Sequence, residues 1–439
     1  MQVDKTTLQD ISIFHSDETQ SVFYWLNHST TKGGREYLRI LLSNPLNNIA
    51  AIEDTQNTIK YLMSVHQDLP TTITNGTIMV IESFFETATD IYPKHPNIWN
   101  SIVYKIISAP DFSITKYSAT HFVGFIKDLV CIAEKLAKNE KSSLIAQWCN
   151  LIVKKTEEPV IQTVLKWPKD KKMTYREILW LGSYLKLHFK KQTLELIELY
   201  NKIDAYTSLA IATKKHSLTF PVFNNSTDPL IHAKGLYHLL LKVPVCYDIQ
   251  LNKSTNFMFL TGANMAGKST FIKSVGTSIY LAHIGMSVPA EHIELCLFEG
   301  LLTNIQVEDN LIRGESYFYN EVKRIKRTVE KISDGKRWLI LIDELFKGTN
   351  VQDAMKCSIA VIEGLHKMSN ALFILSTHLY EIADPLRKHT NIDFRFFETS
   401  VHDDQLVFSY QLQNGVSNDR LGYLILKREG VVEMLNKLH

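Results

Sequence analysis

The chain has 439 residues, 45% hydrophobic and 21% charged, and its 48 Lys+Arg against 46 Asp+Glu leave a net charge of +2. These fractions exclude bulk disorder, a collagen-like repeat and a disulfide-dense scaffold, and the charge balance excludes a histone-like or tail-driven polyanion binder. At roughly 100–200 residues per domain, the length predicts two or three domains, each with its own core.

The N-terminus, MQVDKTTLQDISIF, carries no signal-peptide pattern, and no apolar run is long enough to span a bilayer. The five cysteines (Cys131, Cys149, Cys246, Cys296 and Cys357) are odd in number and have no metal-ligand spacing. They read as reduced thiols of a cytoplasmic protein.

Up to about residue 240 the pattern is helical. Apolar residues at helical spacing run from Thr31 to Leu42 and stop at Ser43-Asn44-Pro45, and the pattern returns over Ile49–Val65 and Ser118–Lys138. The longest stretch, Met173 to Thr213, is either one helix of roughly 60 Å, too long for one compact domain, or two helices broken at Gly182. Lys166, Lys169, Lys171, Lys172, Arg176, Lys186, Lys190 and Lys191 interleave there with Trp167, Tyr175, Trp180 and Tyr184. This is either a DNA-backbone surface or a solvated helix face over a buried aromatic stripe.

After about residue 245, short apolar runs alternate with helical stretches: Phe257–Leu260, Trp338–Ile342 and Ala371–Leu375. They read as buried parallel strands of an α/β domain, and Val407–Leu412 alternates as an antiparallel edge strand should.

The first of these strands leads into Gly262-Ala263-Asn264-Met265-Ala266-Gly267-Lys268-Ser269, followed by Thr270 and a helical pattern to Leu281. Strand, Gly-rich loop ending in Lys-Ser, and helix together make a phosphate-binding loop. Its backbone N–H groups would face a triphosphate at the positive end of a helix. Lys268 would neutralise phosphate charge and Ser269 would ligate Mg²⁺. The second strand ends in Asp343-Glu344, a Walker B pattern. There Asp343 would serve the Mg²⁺ shell and Glu344 would polarise an attacking water. Ser376-Thr377-His378 ends the third strand, where His378 would sense the γ-phosphate. Between the nucleotide motifs, Gly314 and Ser316 precede a helical run, either as an ordinary cap or as a group facing the ATP of a partner subunit.

These stretches resemble the ATPase domain of the MutS family of DNA mismatch-repair proteins. Thr261–Thr270 is similar to that family's TGPNMxGKST, including Asn264-Met265. Thr303 to Leu311, with Gly314, Ser316, Phe318 and Glu321, is similar to TRIGAxDNLxxGxSTFxxEM. Asp343–Asn350 resembles DEIGRGTS, and Ser376–Glu381 resembles ATHYxEL. Departures are Phe346 and Gln306, each in place of a Gly, and Tyr247 in place of an Asn. More weakly, Asp10–Phe14, Thr30–Leu46 and Ile203–Ala210 resemble that family's helical core and lever.

The resemblance implies an α + α/β chain. An all-helical core/lever domain at 1–215, its clamp reduced or absent, would precede an ABC-class P-loop ATPase domain at 216–439 with a mainly parallel sheet flanked by helices. It implies ATP and Mg²⁺ as ligands, a homodimer through the ATPase domains with Ser316 acting in trans, and duplex or branched DNA as partner. The expected location is cytoplasmic, nucleoid-associated where DNA is bound. Nothing ahead of Asp10 corresponds to a mismatch-reading or connector domain, so the expectation is a short form. The alternative is a nucleotide-gated dimeric scaffold that binds no DNA.

Overall fold

The structure, a computed structural model, describes every residue except 89–91, 94, 95, 140, 169, 306–316, 403, 404, 418–430 and 437–439. It divides into two compact units, one formed by Met1–Trp25, Asn44–Ile52 and His216–His439, the other by Leu26–Ser43 and Glu53–Lys215. Residues 1–25 and 44–52 thus pack with the C-terminal unit rather than with the helical one.

The reason lies in the polar groups of the N-terminal segment. Gln2 bridges to Gly300, its N–H donating to the Glu299 carbonyl (2.7 Å) and its carbonyl accepting from Leu301 (3.0 Å). Asp10, almost fully buried, accepts from the Thr303 hydroxyl (2.6 Å) and the Ile305 N–H (3.1 Å). A buried carboxylate needs such donors, and here they belong to the α/β unit.

That unit holds two sheets. Strands β1 (Val222–Asn224), β2 (Leu230–Leu236), β3 (Tyr247–Asn252) and β5 (His292–Cys296) form a mixed sheet in the order β1-β5-β2-β3. The main sheet contains β4 (Phe257–Thr261), β6 (Gly300–Asn304), β7 (Trp338–Asp343), β8 (Ala371–Ser376), β9 (Ile392–His402) and β10 (Gln405–Asn414), in the order β10-β9-β4-β8-β7-β6. From β9 to β6 every pairing is parallel, and β10 closes one edge antiparallel to β9. β4 and β8 are buried at every position, as strands covered on both faces must be. The sequence anticipated β4, β7, β8 and the edge strand, but neither β6, β9 nor the smaller sheet.

The other unit is helical. Its spine is the Ala109–Leu136 helix, packed against a helix that runs from Tyr175 to Lys215 with a π-helical turn at Leu185–Phe189. Gly182 does not break this helix. A Cβ there would come within 2.3 Å of Thr115 Cγ2, so glycine is required by close helix–helix approach. The whole length stays within one compact unit because the Ala109–Leu136 helix lies alongside it, with Phe122 against Phe189 (6.2 Å) and Phe125 against Tyr200 (6.4 Å).

Two stretches singled out in the sequence meet here. Asp204, on the 175–215 helix, accepts from the N–H groups of Thr30 (3.0 Å) and Thr31 (2.8 Å) and from the Thr31 hydroxyl (2.6 Å), tying down the start of the Lys32–Ser43 helix.

Candidate nucleotide site

β4, β8 and β7 are parallel neighbours, so their C-terminal ends lie side by side, with Asp343 paired to Ser376 and Leu260 paired to Ser376. Open α/β sheets bind ligands at this edge. The three motifs read from the sequence follow these strand ends, which brings residues more than 100 positions apart to one place.

The loop after β4 turns through Gly262 (φ 144°), Met265 (φ 67°) and Gly267 (φ 106°) into the Lys268–Ile284 helix. Gly267 caps that helix in a left-handed conformation that a Cβ would oppose. The Lys268 ammonium is buried and donates to the carbonyls of Gly262 (2.7 Å) and Ala263 (2.9 Å), with the ring nitrogens of His378 at 3.3 and 3.4 Å. Burial pulls its pKa down to about 8, against the opposing pull of Glu344 and Asp343.

The Ser269 hydroxyl donates to Asp343 Oδ2 (2.5 Å), while Ser376 donates to Asp343 Oδ1. A hydroxyl and a carboxylate side by side are hard oxygen donors, the set Mg²⁺ takes when phosphate supplies the remaining ligands. Among the described residues no cluster of three His, Cys, Asp or Glu could hold a metal by itself.

Glu344 sits in the left-handed region (φ 66°), unusual for a residue with a Cβ and typical of functional loops. Its carboxylate pairs with His378 Nε2 (2.9 Å) and Lys347 Nζ (3.0 Å). Burial works to raise its pKa, but these two partners outweigh it and hold the group at about 2.

Residues 262–270, 343, 344 and 378 therefore converge. Asn264, Met265, Gly267 to Thr270, Asp343, Glu344, Lys347 and His378 line a cavity of about 590 Å³ whose other wall is Leu241, Val243, Val245, Tyr247 and Tyr410. Gly314 and Ser316 lie outside the described residues, as does Gln306.

Sequence reasoning gave no role to three features. Glu321, buried, accepts from the backbone N–H groups of Lys347 (3.1 Å) and Gly348 (3.2 Å), pinning the loop that follows Glu344. Phe346, also in the left-handed region (φ 59°), packs its ring 5.7 Å from Phe318. Tyr247 lies between Phe271 and Phe397, where burial raises its phenol to about 12. Glu321 and Phe318 stood in a quoted stretch, but a carboxylate that binds backbone groups leaves no pattern of its own.

In the helical unit, three of the eight Lys and Arg residues of the basic stretch are engaged within the unit. Lys171 pairs with Glu177 (2.5 Å) and lies over the Trp167 ring, Lys186 donates to the Thr87 carbonyl, and Lys190 donates to the Phe85 carbonyl (3.3 Å). Lys169 lies outside the described residues. All five cysteines are free thiols, and among the described residues no helix is long and apolar enough to cross a membrane.

The MutS domain V family matches residues 258–435. The DNA mismatch repair protein MutS of Oceanobacillus iheyensis is 30% identical over 241 residues, which cover 53% of this chain and 27% of that protein. MutS of Lactococcus lactis subsp. cremoris is 29% identical over 240 residues, covering 53% and 28%, and MutS of Streptococcus pyogenes serotype M5 is 29% identical over 248 residues, covering 55% and 29%. The match thus spans less than a third of the length of these curated relatives. The three motifs meet at one sheet edge inside the matched region, so residues 258–435 are similar in both sequence and site layout to domain V of the MutS family.

Proposed function

We propose that the C-terminal unit is an ABC-class P-loop ATPase that binds Mg²⁺·ATP at residues 262–270 and hydrolyses it with Glu344 as the water-activating base. The observation that carries this reading is the meeting of Lys268, Ser269, Asp343, Glu344 and His378 at the ends of three adjacent parallel strands. Ser269 and Asp343 would hold Mg²⁺, which supplies charge neutralisation at the phosphates.

Lys268 is held by the carbonyls of its own loop, so its charge is already placed where the loop would cradle a phosphate. Glu344 starts as a weak base because His378 and Lys347 both bind it. Anionic substrate entering beside Lys268 competes for those partners, and each one it draws away restores basicity to Glu344. His378 touches both Lys268 and Glu344, so it is placed to report one to the other.

In the wider reading, residues 1–215 act as core and lever, two copies dimerise through their ATPase units with Gly314 and Ser316 completing each other's site, and the output is a grip on DNA in mismatch repair or related DNA maintenance. The matched relatives carry the name DNA mismatch repair protein. The engagement of Lys171, Lys186 and Lys190 inside the helical unit favours the second reading, a nucleotide-gated scaffold without DNA.

Two measurements test these readings. Lys268→Ala should abolish ATP binding. Glu344→Gln should bind ATP as a dimer and turn it over about 10²–10⁴-fold more slowly; a monomer under saturating ATP refutes the dimer, and unimpaired turnover refutes the base. Stimulation of turnover by duplex, junction or mismatched DNA at low salt supports the DNA reading, and its absence with all three supports the scaffold.

A further inference from the structure

The Ile98–Ile107 helix of the helical unit is amphipathic in the inverted sense. Its inward stripe is Ser101, Tyr104 and Ser108, all buried. Its outward face is Ile98, Trp99, Ile102, Val103, Ile106 and Ile107, with Trp99 80% exposed, Ile107 77% and Ile106 73%. The helix is firmly specified. A reciprocal Asn97–Asn100 capping box fixes its start (2.7 and 2.8 Å), and Tyr104 stacks on Tyr92 (5.9 Å) in a cluster with Phe112, Ile178 and Leu179. The apolar face is therefore presented outward by a well-anchored element.

The six residues leave on the order of 800 Å² in solvent, taking about 150–250 Å² for a whole aromatic side chain and somewhat less for an aliphatic one. That exceeds the roughly 300–600 Å² of the largest patch on a typical monomer. It matches the roughly 800 Å² that each partner contributes to a standard specific interface.

The shape and charge of the patch select the occupant. Ile98, Ile102 and Ile106 form one i,i+4 ridge and Trp99, Val103 and Ile107 the next, so two copies can interdigitate these ridges about a two-fold axis. The helix contains no carboxylate, and its one cation, Lys105, donates to the Tyr175 hydroxyl (2.7 Å). Self-contact thus brings no like-charge repulsion. A phosphate backbone would find too few cations here. A membrane-surface helix would need a Lys/Arg-rich face opposite its apolar one, and that side is packed into the unit.

We propose that the outward face of the Ile98–Ile107 helix is a self-association surface, pairing with the same helix of a second copy of this chain. This pairing requires no nucleotide, so it stands apart from the ATP-dependent contact proposed above.

Sedimentation velocity on the full chain at micromolar concentration, without nucleotide, tests it. The wild type and Lys268→Ala should both sediment as dimers. Trp99→Asp combined with Ile106→Asp should be monomeric, with association at least tenfold weaker, a wild-type far-UV circular dichroism spectrum and wild-type ATP turnover. A wild type that is monomeric without nucleotide overturns the proposal, whether or not it cosediments with phosphatidylcholine vesicles. So does a double variant that stays dimeric.

Discussion

Replacing Phe346 probes the loop that carries Glu344, because two opposing terms act at one residue. The backbone there is left-handed (φ 59°), which costs an L-residue roughly 1–2 kcal/mol and glycine almost nothing. The side chain is 4% exposed and packs on Phe318, and truncating such a ring to Ala costs about 3–5 kcal/mol. Phe346→Ala keeps the strain and loses the packing, so the C-terminal unit should lose about 3–5 kcal/mol. Phe346→Gly loses the same packing but relieves the strain, for a net loss of about 2–3 kcal/mol. The glycine variant should therefore be more stable than the alanine variant by about 1 kcal/mol, a reversal of the usual order, in which glycine suffers from its greater unfolded-state entropy. Urea unfolding followed by fluorescence in a background that keeps the core residue Trp338 as its sole tryptophan reads both values at equal slope. An alanine variant as stable as the glycine variant, or more so, would refute the left-handed assignment. A glycine variant as stable as wild type would refute the packing contribution.

Two further expectations concern the site. Lys268 is pulled from 10.5 to about 8 by burial, so between pH 8 and 10.5 the unfolded chain holds a proton that the folded chain lacks, and stability at this residue rises with pH. ATP affinity runs the other way: equilibrium binding should be flat below pH 8 and weaken by up to about tenfold per unit above it, whereas a flat profile to pH 10 would show that Lys268 does not lose its charge there. Glu321→Ala removes two charge-assisted hydrogen bonds of roughly 1.5 kcal/mol each at the long end of the distance range. It should lower kcat at least about tenfold, leave KM nearly unchanged and be partly rescued by Glu321→Gln, which keeps one acceptor; an unchanged kcat would remove Glu321 as a positioning residue.

The sequence exposed those features whose signal is local and concealed those that depend on distant partners. β4, β7 and β8 were legible as unbroken apolar runs, and Lys268, Asp343 and His378 could be placed because each belongs to a short motif that follows or ends such a run. β6 was not legible: Gly300–Asn304 is five residues opening with glycine, and Trp338 occupies the space where a Cβ would stand. Nor could Gln2 and Asp10 be assigned to the α/β unit, since their partners lie near residue 300. Gly182 resembled a helix break because composition cannot distinguish a flexible glycine from one required by Thr115.

Phe346 carries this argument furthest. Against the MutS pattern it stood out as a lost glycine beside the Asp343-Glu344 pair. In three dimensions its ring rests on Phe318, one turn from Glu321, and both belong to the Tyr317–Ile332 helix, which begins immediately after Ser316. The loop bearing Glu344 is thereby tied by a ring contact and two hydrogen bonds to the helix that follows the proposed trans-acting residues. Movement of that helix would be felt first at Lys347, whose backbone Glu321 holds and whose ammonium binds Glu344. The substitution that departs from the family's loop thus supplies an apolar contact that a glycine could not make.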